Sequence, residues 1–137
     1  MLNEMAQALH NTAIDSGWWD RDGIPVDPTE TDFLLARIAL MHSELSEALE
    51  EARVGGDLTS VYVEFEDSFN SKVRIEYEPI MPPEPGRKPV GFATELADCI
   101  IRILDTCAAL GIDIDEAVSL KAAYNKTRPF RHGGKLA

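Results

Sequence analysis

Residues 42–53, HSELSEALEEAR, set Glu44, Glu47, Glu50 and Glu51 within two turns of a helix, where like charges repel. Such a run is either a solvated acidic face or the wall of a cation site. A lone E-x-x-E on a helix of an acidic protein is usually the former. The second reading needs another acidic pair elsewhere in the chain. Residues 95–105, ELADCIIRILD, supply one in Glu95 and Asp98.

Positions three apart share a helix face, separated by roughly 4.5 Å along the axis. Glu44 and Glu47 therefore pair, with Glu51 a turn further on, in a column that runs back through Leu40 and Arg37 beside the apolar seam. The second helix is apolar almost all round, from Leu96 to Ala108, except for a stripe of Glu95, Asp98, Arg102 and Asp105. So apolar a helix is expected to be mostly buried, with its polar stripe facing water or a polar site. Buried carboxylates without partners cost several kcal/mol each, or take up protons instead. If the two pairs face each other across a helix interface, a divalent cation resolves that conflict, and hard oxygen ligands suit Mg²⁺ or Mn²⁺. A di-iron carboxylate bundle would need two E-x-x-H motifs. No glutamate here has a histidine three residues on.

The rest of the chain frames these helices. Its 137 residues suffice for one domain with a real core, 1–137, and are too few for two. Residues 1–16 read as a short helix, and DSGWWDRDGIPVDPTETD, rich in glycine, proline and aspartate, as a loop. A long helix follows from Thr31 to Arg53, capped by Thr31 or Asp32, with a seam of Leu34, Ile38, Met41, Leu45, Ala48 and Ala52. Gly55 and Gly56 stop it. VYVEF and VRIEY alternate apolar and polar residues around EDSFNSK, the pattern of a β-hairpin. EPIMPPEPGRKPVG, with five of the chain's eight prolines, reads as an irregular connector. A third helix spans Phe92–Leu110 and ends at Gly111. The fourth covers DIDEAVSLKAAYNKT, with Asp113 or Asp115 at its cap and Pro129 beyond its end. The tail FRHGGKLA is expected to be loose. The fold class expected is all-α, a four-helix-bundle-like core with a β-hairpin insertion at about 57–90 between the second and third helices.

Composition narrows the partners. No apolar run is long enough to cross a bilayer, and the opening MLNEMAQALHNTAIDSGWW lacks the basic region and A-x-A-like end of a signal peptide. Cys99 and Cys107 fall in one apolar helix and read as buried free thiols, so a cytoplasmic location is expected. The net charge of −11 repels nucleic acid polymers and anionic membranes. A small phosphorylated ligand would need bound cations or a local basic clamp. On the fourth helix Lys121, Asn125 and Arg128, spaced by four and three, offer one: a point charge, an amide and a forked donor. On its own such a face more often satisfies the dipole at a helix C-terminus.

Taken together, ELSEALEEAR, GFATELADCIIRILD and KAAYNKTRPFRHGGK resemble the MazG-like branch of the all-α nucleoside triphosphate pyrophosphohydrolases. The resemblance covers the first helix, the GWWD loop and the chain from about Phe33 onward, apart from the hairpin. It implies Mg²⁺-dependent hydrolysis of (deoxy)nucleoside triphosphates between the α and β phosphates, giving monophosphate and pyrophosphate. It also implies metal ligands at Glu44, Glu47, Glu95 and Asp98, and phosphate contacts at Lys121, Asn125 and Arg128. A homo-oligomer, dimer or tetramer, is implied as well. One departure concerns the residue before Glu44. Many relatives carry a further glutamate there, and this chain has Ser43. The base must then be another carboxylate, for which Glu47 is the candidate, unless metal alone acidifies the water. Trp18 and Trp19 are the candidates to stack on the nucleobase, although a tryptophan is as readily plain core. The alternative from another class is a non-catalytic acidic helical protein that binds a partner through its hairpin.

Overall fold

Apolar residues at helical spacing, bounded by glycines, set most of the architecture. In this computed structural model, which describes residues 1–79 and 84–136, helices α1 (Leu2–Asp15), α2 (Thr31–Val54), α3 (Phe92–Leu110) and α4 (Ile114–Thr127) carry most of the chain. Gly55 and Gly111, at φ 85° and 68°, end α2 and α3 with a positive φ that glycine adopts without strain. A small antiparallel sheet accompanies them, so the chain is helix-rich and not purely α. No helix among the described residues is long and apolar enough to cross a membrane.

Residues 1–29 and 104–137 make one compact unit, residues 30–103 the other. In the first, α1 and α4 are joined by exchanged caps. Asp113 caps α4, accepting from the Glu116 N–H at 3.0 Å and from Asn3 Nδ2 at 2.8 Å. Asn3 Oδ1 in turn accepts from the Ile114 N–H at 2.9 Å. Asp115 serves the other helix: its carboxylate accepts from the N–H groups of Leu2 and Asn3, each at 3.0 Å. Those donors, that of Asn3 foremost, hold its pKa at about 2. The GWWD loop contains a minimal ribbon, β1 (Asp20–Arg21) paired with β2 (Ile24–Pro25), where only a loop was expected. The C-terminal tail closes a short turn over Arg131–Gly134, with the Lys135 N–H donating to the Arg131 carbonyl.

In the second unit, α2 begins at an N-cap of Glu30 without a side-chain hydrogen bond, not at Thr31 or Asp32. The hairpin forms as β3 (Tyr62–Glu66) and β4 (Lys72–Glu76), with Val63 opposite Ile75. Part of the expected irregular connector is a third strand, β5 (Lys88–Val90), which pairs with the free edge of β3 and gives the order β4-β3-β5. Pro89 is tolerated because β5 is an edge strand, where a missing N–H costs no ladder bond on the open side. Residues 80–83 of that connector lie outside the described residues. Gly91 links β5 to α3 at φ 111°. A Cβ there would meet Tyr62 Cδ2 at 3.1 Å, so both backbone and packing require glycine.

Burial on α2 departs from the expected seam. The buried residues are Arg37, Glu44 and Ala48, while Ile38 and Leu45 are exposed. Glu44 is thus buried on the inward face while Glu47 is exposed and Glu51 half-buried, so the acidic column runs along the border of the core. Helix α3 behaves alike: Glu95 and Cys99 are buried, while Leu96, Ile100, Ile101 and Ile103 are exposed. Both cysteines are buried free thiols, and burial pushes the Cys107 pKa up.

Candidate metal centre

Three carboxylates gather where α2 and the first half of α3 carry their inward polar stripes. Oxygens of Glu44, Glu47 and Glu95 all lie within 4.8 Å of one another. Glu44 and Glu95 are buried at 7% and 6% exposure, and Glu47 opens to solvent. Asp98, half-buried, stands outside this group of three but within reach of the Glu44 and Glu47 charges.

The electrostatics reflect that crowding. Burial, a hydrogen bond with Glu47 and the Glu47 charge push the Glu95 pKa up to about 7, against the weaker opposing pull of Lys88. Burial and then the Glu44 charge raise Asp98, and Arg102 and Lys88 counter them. Only Glu44 has a direct cationic partner among the described residues of the cluster: Arg102 Nε donates to its Oε1 at 2.6 Å. The Glu51 carboxylate, which the sequence column runs into, is spent elsewhere. Both its oxygens accept from the Arg74 guanidinium of β4, at 3.0 Å each. All donors in the cluster are carboxylate oxygens, the hard set that Mg²⁺ or Mn²⁺ takes. Partly buried anions that shift toward protonation are what such an ion would relieve. The residues present fit the metal.

The other residues singled out by sequence belong to the first unit. Asn125 and Arg128 line a cavity of about 370 Å³ near the C-terminus. Lys121, on the same helix, lies over the Tyr124 ring at 5.4 Å and does not line it. The two tryptophans separate. Trp18 is 70% exposed and open to a stacking partner, whereas Trp19 is buried at 7%. The Trp19 Nε1–H donates to Asp105 at 2.9 Å, and His10 meets the same carboxylate through Nδ1 at 2.7 Å. His10 and Trp19 contact edge to face, centroids 5.1 Å apart, and with Ile14 and Pro25 they wall a cavity of about 280 Å³. Sequence reasoning placed Asp105 on the polar stripe of α3 but gave it no partner. His10 and Trp19 are 95 and 86 residues away in sequence, and no local signal connects them.

Models of known protein families, curated proteins and solved structures were all compared with the chain, and none matches it.

Proposed function

We propose that this protein is a Mg²⁺-dependent nucleoside triphosphate pyrophosphohydrolase of the MazG-like type. It would cleave (deoxy)nucleoside triphosphates between the α and β phosphates, releasing nucleoside monophosphate and pyrophosphate. The observation that carries this reading is the cluster of Glu44, Glu47 and Glu95, with Asp98 beside it. Three carboxylates within 4.8 Å, two of them buried, form a poor solvated face and a good cation site. The fold proposed with it is the four-helix-bundle-like core of the all-α pyrophosphohydrolases, with the three-stranded sheet as the insertion.

In this reading Glu44, Glu47, Glu95 and Asp98 hold Mg²⁺, or Mn²⁺ in its place. Bound there, the ion supplies positive charge to the phosphates and lowers the pKa of water. Glu47, the solvent-facing member, would accept the proton of the attacking water in place of the glutamate that Ser43 replaces. Lys121, Asn125 and Arg128 would bind the phosphate chain, the cations stabilising charge on the departing pyrophosphate. Trp18, exposed, is the better of the two tryptophans to stack on the base, because Trp19 is held by Asp105. Ile38, Leu45, Leu49, Ile100 and Ile101 leave apolar surface open on α2 and α3, which supports a homo-oligomer.

The test is release of pyrophosphate from the common deoxynucleoside triphosphates with Mg²⁺ and with chelator. Chelator-sensitive release from at least one of them is expected. No release from any, with the protein folded and Mg²⁺ saturating, would leave the acidic helices as a binding surface only.

A further inference from the structure

The last 21 residues, 117–137, hold five of the chain's 13 basic residues and none of its 24 acidic ones. An acidic protein that keeps a purely basic segment has ample carboxylates with which to neutralise it. Among the described residues of its own unit, none of Lys121, Lys126, Arg128, Arg131 and Lys135 forms an ion pair with a carboxylate. Their charge is instead gathered. Arg128, Arg131, His132 and Lys135, with the Asn125 amide, line one cavity of about 370 Å³.

The backbone brings this about. Arg131 and His132 adopt φ 48° and 49°, a left-handed conformation that residues with a Cβ seldom take, and Gly133 and Gly134 continue it at φ 94° and 90°. This turn folds the segment after Pro129 back, so that Arg131, His132 and Lys135 share a cavity with the end of α4. Two of the guanidinium groups lie over aromatic rings: Arg128 Cζ is 5.9 Å from the Tyr124 centroid and Arg131 Cζ 5.6 Å from that of Phe130. Two forks, an ammonium and an amide lining one cavity suit an anion with many oxygens.

We propose that this cavity is a binding site for a condensed phosphate, built by Arg131 and Lys135 together with Arg128 and Asn125, and that it works without metal. For Asn125 and Arg128 the inference rests on the phosphate role proposed above. Arg131, His132, Lys135 and the independence from metal go beyond it. The ligand is a pyrophosphate group, whether free or as the terminal phosphates of a nucleotide.

The experiment is calorimetric titration of the full chain in EDTA at low salt, with inorganic pyrophosphate, inorganic tripolyphosphate and a deoxynucleoside triphosphate as separate probes. All three are expected to bind. Arg131→Gln and Lys135→Gln should each weaken pyrophosphate at least about fivefold. Lys126→Gln removes the same charge from a residue that does not line the cavity and should stay within about twofold. A loss in Lys126→Gln equal to the others would reduce the effect to diffuse tail charge and overturn the proposal. So would absence of binding until Mg²⁺ is added, or binding of the nucleotide but of neither inorganic probe. Failure of the metal reading is seen separately, as absent or chelator-insensitive release of pyrophosphate from the nucleotide, which binding of inorganic pyrophosphate in EDTA does not decide.

Discussion

Glu95 and Asp105 sit ten residues apart on α3, both on its polar stripe and both buried, at 6% and 4% exposure. Their surroundings could hardly differ more. Asp105 accepts from the Trp19 indole at 2.9 Å and contacts His10 Nδ1 at 2.7 Å, so its oxygens are occupied by neutral or cationic donors. Glu95 meets another carboxylate, Glu47, and its pKa rises to about 7. Equal burial therefore says little about the role of an acidic residue. What separates a structural carboxylate from a candidate ligand is whether the protein itself supplies the donors. Asp105 is complete without anything added, whereas in the group of three Arg102 serves Glu44 and Glu95 is left facing Glu47.

Substitution should separate the two sites most sharply. Glu47→Ala is expected to cut Mg²⁺-dependent pyrophosphate release by at least about a hundredfold. Its metal-free melting temperature should hold or rise, because a repelling charge beside Glu95 is gone. Asp105→Ala should do the reverse in kind. It removes the acceptor of the Trp19 N–H and the partner of His10 Nδ1 in a buried site, at about 3–4 kcal/mol of stability. Urea unfolding of both variants beside a steady-state assay checks the pair. Near-wild-type turnover in Glu47→Ala at saturating Mg²⁺ would sink the metal assignment. Undiminished stability in Asp105→Ala would remove the contrast.

A titration sharpens the same comparison. Glu95 has a folded pKa of about 7 against an ordinary 4.5, and Asp98 is raised too, so the folded state binds protons more tightly than the unfolded chain. With fewer protons on the unfolded side, stability falls as pH rises. For Glu95 the loss starts near pH 4.5, as the unfolded group ionises, and is complete above about 7. It amounts to about 3 kcal/mol. Unfolding free energy of the metal-free protein, measured across that range, should decline accordingly, and Mg²⁺ should restore most of it near pH 8. A flat profile without metal would mean that the cluster is better solvated than its burial implies.

How much of this can be read from the chain depends on the range of each interaction. The ends of α2 and α3 are legible because Gly55 and Gly111 are local signals, and the hairpin because its alternation is local. Strand β5 is hidden among prolines, since its pairing with β3 is decided by a partner some 25 residues earlier. Asp113 and Asp115 look interchangeable as caps. Only the placement of Leu2 and Asn3, more than 100 residues away in sequence, assigns the second to α1. The acidic pairs were legible by their spacing, and three of those four residues come together. The burial of Arg37 and Glu44 was not, because periodicity assigns the buried face to Ile38 and Leu45, which are exposed, although Ala48 of the same seam is buried.

The smallest expected effect tests where the acidic column stops being a site. By spacing alone, Glu51 continues Glu44 and Glu47 and would qualify as a further ligand. Its carboxylate is instead held by both arms of the Arg74 guanidinium at 3.0 Å, an arrangement that raises the Arg74 pKa and ties α2 to β4. Arg74 also lies 3.7 Å from Glu64, so the guanidinium has a second anion to turn to if Glu51 is neutralised. Because the pair is partly solvated, Glu51→Gln should cost only about 0.5–1 kcal/mol in urea unfolding. Mn²⁺ affinity by calorimetry should stay within about twofold of wild type, since the ligands proposed lie elsewhere in the column. A tenfold loss of Mn²⁺ affinity would extend the site by one turn of α2. It would also show that the Arg74 pair is a resting arrangement that the ion displaces, and that Glu51 resembles Glu95 more than Asp105.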